Sequence, residues 1–97
     1  MITYHFLKDP SDILDYGIDW SEWLVSDTIS ASSWAILPSE DDGLSVLESP
    51  PASFTNTATL VWVEDGIVGT TYKLTNTIVT ADGRTCERSI SIKIEEQ

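Results

Sequence analysis

Histidine and cysteine, the side chains that most often carry nucleophilic or metal chemistry, occur once each in this chain, as His5 and Cys86. A cysteine nucleophile needs a histidine base beside it and a third group that orients the base. The two residues are about eighty positions apart, and no orienting group is placed beside either one. We interpret Cys86 as a small core residue and expect no catalytic residue, no cofactor and no disulfide within the chain.

Acidic residues are the other candidates for chemistry, and none of them forms a metal-binding pattern. Four aspartates follow one another at intervals of three and four residues, unlike the alternate ligands of an EF-hand loop: Asp9, Asp12, Asp15 and Asp19. The acidic turns 40–43 and 64–66 offer carboxylates to calcium, but such loop carboxylates are more often solvated. Glycoside hydrolysis needs a substrate cleft, for which 97 residues leave little room. We expect no metal site and no enzyme activity.

The net charge of −11 excludes several classes of partner. Binding to DNA, RNA or anionic membranes depends largely on Lys and Arg, and the chain has only 5 of them. The acidic excess lies in the N-terminal half, which has 10 acidic residues and 1 basic residue up to Glu48. This asymmetry serves solubility, or it faces a basic partner surface. With one cysteine, no signal-peptide pattern and no long apolar run, we expect synthesis in a cytoplasm.

The elements that carry these residues are predicted to be β-strands. Apolar and polar residues alternate from Asp15 onwards, and Thr, Ser, Ile and Val dominate, as in half-buried strands. The strongest pattern predicts a hairpin of strands 70–80 and 84–95 about Asp82-Gly83. Slips in the alternation predict bulges near Ser21-Glu22 and near Ser32-Ser33.

Turns every 8–12 residues are typical of a sandwich or barrel, and Tyr72 stands where immunoglobulin-like folds place a tyrosine corner. We predict an all-β, immunoglobulin-like antiparallel β-sandwich of about seven strands with a short N-terminal arm.

The arm, residues 1–14, is predicted to be separate from the sandwich domain, residues 15–97. Asp9-Pro10-Ser11-Asp12 forms either one helical turn or a plain turn between them. Tyr4, Phe6 and Leu7 are too apolar to stay solvated, so we expect the arm to dock on another molecule. The alternative is that the arm adds to its own domain as an edge strand.

Tryptophan is frequent, with 4 residues in the chain. Core packing explains these residues because each lies at an apolar position of the alternation, whereas a platform for stacking sugars is the alternative. The slip between Trp20 and Trp23 leaves one of them exposed, and we take Trp23, with Tyr4, Phe6 and Leu7, as a candidate interface residue.

Several segments resemble a family of tailed-phage proteins, the fiber-tail adaptors. They are KDPSDILDYGIDWSEWL at 8–24, DTI at 27–29, GTTY at 69–72, TNTI at 75–78, GRT at 83–85 and ERS at 87–89. Their order and spacing together carry the resemblance, which leaves out residues 1–7 and 38–51. Cys86 stands where a polar residue is expected, and no function is attached to it.

The resemblance implies a virion structural protein without enzyme activity. Such a protein binds neck or tail proteins on one surface and the N-terminal region of a tail fiber on another, with multiple copies of itself around the tail axis. A different reading is an immunoglobulin-like capsid-decorating or carbohydrate-binding module. A decorating module binds the capsid lattice, and a sugar binder needs an exposed tryptophan.

Overall fold

A computed structural model describes residues 3–39 and 43–96 and contains almost only strands. The elements are β1 (Thr3–Lys8), β2 (Leu14–Asp19), α1 (Ser21–Leu24), β3 (Ile29–Leu37), β4 (Ser45–Val46), β5 (Ser53–Phe54), β6 (Ala58–Glu64), β7 (Thr71–Thr80) and β8 (Thr85–Ile94). Sheet A has the order β1-β8-β7-β3, and sheet B has the order β2-β6-β4 with β5 also paired to β6. The two four-stranded sheets are compatible with the predicted β-sandwich.

The predicted hairpin is confirmed. β7 and β8 pair antiparallel from Thr71↔Lys93 to Val79↔Thr85. Gly83 closes the turn with a φ of 88°, a left-handed conformation that glycine adopts without steric cost. The alternating side chains of β7 divide into a buried row and an exposed or half-buried row. This strand therefore carries both core residues and an outer surface.

The core lies between the sheets and is built from the inward rows of five strands and α1. Its buried apolar residues are Tyr16, Ile18, Trp20, Leu24, Ile29, Leu44, Val61, Val63, Tyr72, Leu74, Ile78, Ile90, Ile92 and Ile94. β6 is the central strand of sheet B, as predicted, because it pairs with β2 on one side and with β4 and β5 on the other. The hydroxyl of Tyr72 accepts a hydrogen bond from the backbone N–H of Ile67, five positions earlier in the chain, at 3.1 Å.

The N-terminal segment is a strand of sheet A, and the expectation of a separate arm is wrong for Thr3–Lys8. β1 pairs parallel with β8 from Thr3↔Ser89 to Lys8↔Ile94, the one parallel pair among the described strands. A turn then takes the chain to sheet B: Asp12 N–H donates to the Asp9 carbonyl at 3.0 Å. The alternative, an edge strand on the same domain, is therefore correct for this segment. Without β1, the backbone groups of β8 from Ser89 to Ile94 would lack a partner strand on this side.

Two predicted bulges also need correction. The chain after β2 forms the helix α1 in place of a bulge near Ser21-Glu22, and the Asp19 carboxylate accepts the Ser21 N–H at 2.9 Å in a turn just ahead of the helix. Val25 ends α1 and is exposed. The irregularity in β3 lies between Ile29 and Ala31 and not at Ser32-Ser33.

Candidate functional site

One end of the sandwich carries a cluster of charged and aromatic side chains around Asp27, which we call the clamp (Trp23, Asp27 and Arg84). Asp27 is buried and follows α1, while Arg84 immediately precedes β8. Arg84 donates from Nε and Nη2 to the Asp27 carboxylate at 3.1 and 3.0 Å, and from Nη2 to the Leu24 carbonyl at 3.1 Å. Its guanidinium lies 4.3 Å from the ring centroid of Trp23. The clamp thus fastens α1 to the β7–β8 hairpin.

The other oxygen of Asp27 accepts backbone N–H groups of Thr28 at 2.8 Å and of Asp82 at 3.2 Å. A hydrogen bond from the Thr80 side chain, with those from Thr28, Arg84 and Asp82, lowers the pKa of Asp27 to about 2. Burial acts in the opposite direction, so the hydrogen bonds dominate. Asp27 is therefore a carboxylate anion whose hydrogen bonds are made within the chain. Its role is to hold α1 and the β7–β8 hairpin together.

A second polar group, the Asn76 network, lies inside the core. The Asn76 side-chain oxygen accepts from Trp20 Nε1 at 3.0 Å and from the Thr59 hydroxyl at 2.7 Å. Its amide nitrogen donates to the Ser32 hydroxyl at 2.9 Å and to the Ser33 carbonyl at 3.0 Å. All four bonds of a primary amide are made, so this buried residue ties both sheets and α1 together without an unsatisfied group.

Lys8, at the opposite end, is fully buried, although lysine is usually exposed. Its ammonium group donates to the backbone carbonyls of Asp9 at 2.9 Å and Asp65 at 2.7 Å. Desolvation lowers the pKa of Lys8, whereas the carboxylates of Asp12, Asp65, Asp9 and Glu64 act to raise it. Lys8 therefore anchors the end of β1 to the loop between β6 and β7.

The loops beside Lys8 present exposed apolar side chains, and we call this surface the apolar end. The strand order sets Leu7, beside Lys93, and Leu37, beside Lys73, on opposite edge strands of sheet A, so its members share one end of the sandwich and not one continuous patch. They are Leu7, Ile13, Leu37, Ile67 and Val68. Five of the nine exposed large apolar side chains in the described residues lie at this end, and a concentration of exposed apolar surface marks sites of protein–protein contact. The apolar end is the candidate binding surface of the protein.

The predicted interface residues do not lie together. Leu7 belongs to the apolar end, whereas Phe6 packs on Tyr16 across the sheets with ring centroids 5.0 Å apart. Trp23 lies at the opposite end, half-buried beneath Arg84. Tyr4 is part of β1, and its side chain is outside the described structure. Sequence reasoning missed the rest of the apolar end because only the strand order shows that Ile13, Leu37, Ile67 and Val68 lie at the same end of the sandwich.

The tryptophans are mostly occupied in packing. Trp20 is buried and hydrogen-bonded to Asn76, and Trp23 meets it edge-on with ring centroids 5.6 Å apart. Trp34 is half-buried against the core. Trp62, also half-buried, is on the outer row of β6. A sugar platform that uses Trp20 is therefore excluded by burial.

The residues considered for catalysis or metal binding, such as His5 and Cys86, do not lie next to each other in the structure. His5 pairs with Ser91, five positions along β8 from Cys86. Within residues 3–39 and 43–96, no group of three or more His, Cys, Asp or Glu side chains is arranged to hold a metal ion. In the acidic turn 40–43, residues 40–42 lie outside the described residues. No helix in the described ranges is long and apolar enough to cross a membrane.

The segments that carry the family resemblance meet in the structure. Residues 20–24 and 27–29 lie beside 83–85 in the clamp, and residues 75–78 contain Asn76 of the network. Asp27 and Arg84 are 57 positions apart, so their pairing is not visible in the sequence. These motifs thus specify the scaffold that holds α1 on the hairpin.

Comparison with known protein families matches residues 8–93 to the family described as podophage GP4 fiber-tail adaptor protein gp77. Comparison with curated proteins gives no match. The family match covers nearly the whole sandwich, from the last residue of β1 to the penultimate residue of β8. The chain therefore belongs to the podophage fiber-tail adaptor family.

Proposed function

We propose that this protein is a structural component of the phage particle, without enzyme activity, that attaches tail fibers to the neck or tail. It binds neck or tail proteins on one surface and the N-terminal region of the fiber on another, in multiple copies around the tail axis. The observation that carries this proposal is the family match over residues 8–93. Neither nucleic acid nor membrane is a proposed partner, since the chain has a net charge of −11.

The apolar end is the surface that we assign to one of the two partners. Its five apolar side chains are exposed in the isolated chain, and burying them against a partner supplies a hydrophobic driving force. Phe6 and the backbone edge of β1 adjoin it, so the predicted interface residues Tyr4, Phe6 and Leu7 belong to the same proposal. Trp23 is assigned to the scaffold because Arg84 covers its ring.

We also propose that the sandwich is immunoglobulin-like. If β2, β3, β4, β6, β7 and β8 are lettered B to G, the sheets read B-E-D and C-F-G, which is the immunoglobulin arrangement. The hydrogen bond between Tyr72 and the backbone of Ile67 supports the same assignment.

A binding experiment tests the adaptor function. The purified chain is immobilised and exposed separately to the neighbouring tail protein and to the N-terminal region of the fiber from the same phage. We expect the wild-type chain to retain both. Val68→Asp and Leu37→Asp, at the apolar end, should weaken binding to one of the two by roughly tenfold or more, since each buries a charge in a nonpolar contact.

Val25→Asp is the matched control because Val25 is also an exposed valine but lies at the opposite end. It should bind both partners as the wild type does. If the wild-type chain binds neither partner, the adaptor proposal is wrong. If Val68→Asp and Leu37→Asp bind both normally, the apolar end is not a binding surface.

A further inference from the structure

The outer face of sheet A carries two solvent-exposed lysines, Lys73 and Lys93, and we call it the lysine face. Lys73 and Lys93 are exposed between buried neighbours on β7 and β8. Their registers, Lys73↔Ser91 and Thr71↔Lys93, make them diagonal neighbours on adjacent strands. Both lie near the apolar end, because β7 begins and β8 finishes there.

The outer face of sheet B has the opposite charge, and we call it the carboxylate face. Asp15 is exposed on β2, and Glu64 is half-buried at the end of β6. The register Asp15↔Trp62 makes Asp15 and Glu64 diagonal neighbours as well. They also lie near the apolar end, since β2 begins and β6 finishes there. The two faces of one chain therefore present matching diagonal charge pairs at the same height.

The other charged residues on the two faces do not cancel the complementarity between the lysine pair and the carboxylate pair. On the lysine face, Glu87 lies toward the hairpin end, and Glu95 makes an exposed ion pair with Lys93 at 2.9 Å, which contributes little to stability. His5 is exposed beside Ser91. On the carboxylate face, Asp19 lies at the hairpin end near Arg88. Lys8 is close to Glu64 but is buried beneath the loop.

We propose that successive copies of this chain associate head to tail, with the lysine face of one copy against the carboxylate face of the next. Pairing two lysine faces, as a two-fold symmetric contact would do, places like charges together. A heterologous contact that closes on itself forms a ring. Because both charge pairs lie at the same height along the strands, copies that keep their strands parallel form a ring whose axis runs along the strands.

Such a ring presents every apolar end on one rim and every clamp on the other. The inference rests on the proposed function for the existence of multiple copies, and it adds which surfaces join them. On the lysine face, small side chains lie between the strands (Ala35, Thr71, Thr75, Ser89 and Ser91), and the exposed side chains of Leu7 and Leu37 flank Lys93 and Lys73. Thr75 and Ser89 already hydrogen-bond each other at 3.0 Å, so these two hydroxyls have a partner when water is removed. A depression of about 280 Å³ beside Lys93 accepts a side chain from the neighbour.

Charge reversal on each face tests this arrangement. One variant carries Lys73→Glu and Lys93→Glu, and the other carries Asp15→Lys and Glu64→Lys. Sedimentation velocity over a concentration series at low salt should show the wild type associating beyond a dimer. Each variant alone should be monomeric, with an apparent dissociation constant raised roughly tenfold or more. An equimolar mixture of the two should associate again, because each altered face then meets its complement.

Association of the wild type should also fall at about 1 M salt, where the Debye length is about 3 Å. Circular dichroism establishes that each variant is folded. If the variant that contains Glu64→Lys does not fold, the single variants Lys93→Glu and Asp15→Lys are used in place of the two double variants. A wild type that is monomeric at all concentrations overturns the proposal, as does a mixture that does not associate.

The fiber and tail binding assay separates this inference from the adaptor function. Variants with reversed faces leave Ile67 and Val68, in the loop after β6, unsubstituted, and they should still bind the partner of the apolar end as monomers. If the mixture associates but the wild type binds neither fiber nor tail protein, the head-to-tail contact stands and the adaptor function fails.

Discussion

Arg84 donates two hydrogen bonds to one carboxylate oxygen of Asp27, so an ion pair 57 positions apart in sequence closes the hairpin end of the sandwich. Asp27 is buried, whereas the Arg84 side chain is 43% exposed. The pair therefore has one desolvated partner, which is held mainly by backbone and hydroxyl donors. Its contribution should depend on the charge of Asp27.

The first prediction concerns acid stability. The pKa of Asp27 falls from 3.8 to about 2, so the folded state binds fewer protons than the unfolded state between these values. The stabilisation by the Asp27 carboxylate is thus complete above about pH 4 and is lost as the pH falls toward 2. Asp27→Asn should be less stable than the wild type at pH 7, and the difference should shrink on acidification.

Urea unfolding of both proteins at pH 7, 4 and 2.5 measures this difference. Asp15→Asn, which changes an exposed carboxylate, serves as the control and should follow the wild type. A difference between wild type and Asp27→Asn that is constant with pH would contradict the assignment.

The second prediction concerns the Asn76 network. Asn76→Leu keeps a side chain of similar size but leaves Trp20 Nε1, the Thr59 hydroxyl and the Ser33 carbonyl without this partner. Each buried group left unsatisfied costs about 1–3 kcal/mol, so the free energy of unfolding should fall by at least about 2 kcal/mol. Thr77→Leu, on the outer row of the same strand, should change it by less than about 0.5 kcal/mol. Equal effects of the two substitutions in thermal or urea unfolding would show that the network contributes nothing specific.

The third prediction concerns Lys8 at alkaline pH. Burial lowers the pKa of Lys8 below 10.5, so the unfolded state binds more protons than the folded state between the two pKa values. The destabilisation from burying the ammonium is therefore fully present below the folded pKa and is relieved as the pH rises toward 10.5. Lys8→Met has no such group to titrate.

The free energy of unfolding of the wild type should thus rise relative to that of Lys8→Met between pH 7 and 10. Measuring Lys8→Met beside the wild type cancels the alkaline contribution of Tyr16, because Tyr16, whose pKa is raised by burial, is present in both proteins. Lys93→Met is the control, because Lys93 is half-exposed. A parallel pH dependence of wild type and Lys8→Met would mean that Lys8 keeps an ordinary pKa.

The sequence predicts elements whose pattern is local. The hairpin of β7 and β8 was predictable because alternation and an Asp-Gly turn lie within one continuous stretch. β1 was predicted only as the alternative to a separate arm, since its partner Ser89 is 86 positions from Thr3 and a lysine at its end usually indicates solvent. The clamp was missed for the same reason: an aspartate in a polar segment does not reveal an arginine that arrives from a distant hairpin. The apolar end likewise depends on the order of the strands.

The last prediction concerns Val25, which ends α1 with φ 61° and ψ −97°. A β-branched residue at positive φ is strained, at a cost on the order of 1–3 kcal/mol. Val25 is 86% exposed, so its side chain gains little from burial in return. Glycine adopts positive φ freely but loses more backbone entropy on folding, which offsets part of the gain. Val25→Gly should therefore raise the free energy of unfolding by roughly 1 kcal/mol.

Val68→Gly is the matched control, because Val68 is also an exposed valine but does not have a positive φ. Among the described residues, the non-glycine residues with positive φ are Val25 and Asp65. Val68→Gly should leave stability unchanged or lower it. Thermal unfolding of the two variants decides the matter, and a lower melting temperature for Val25→Gly would show that the conformation at the end of α1 is not strained.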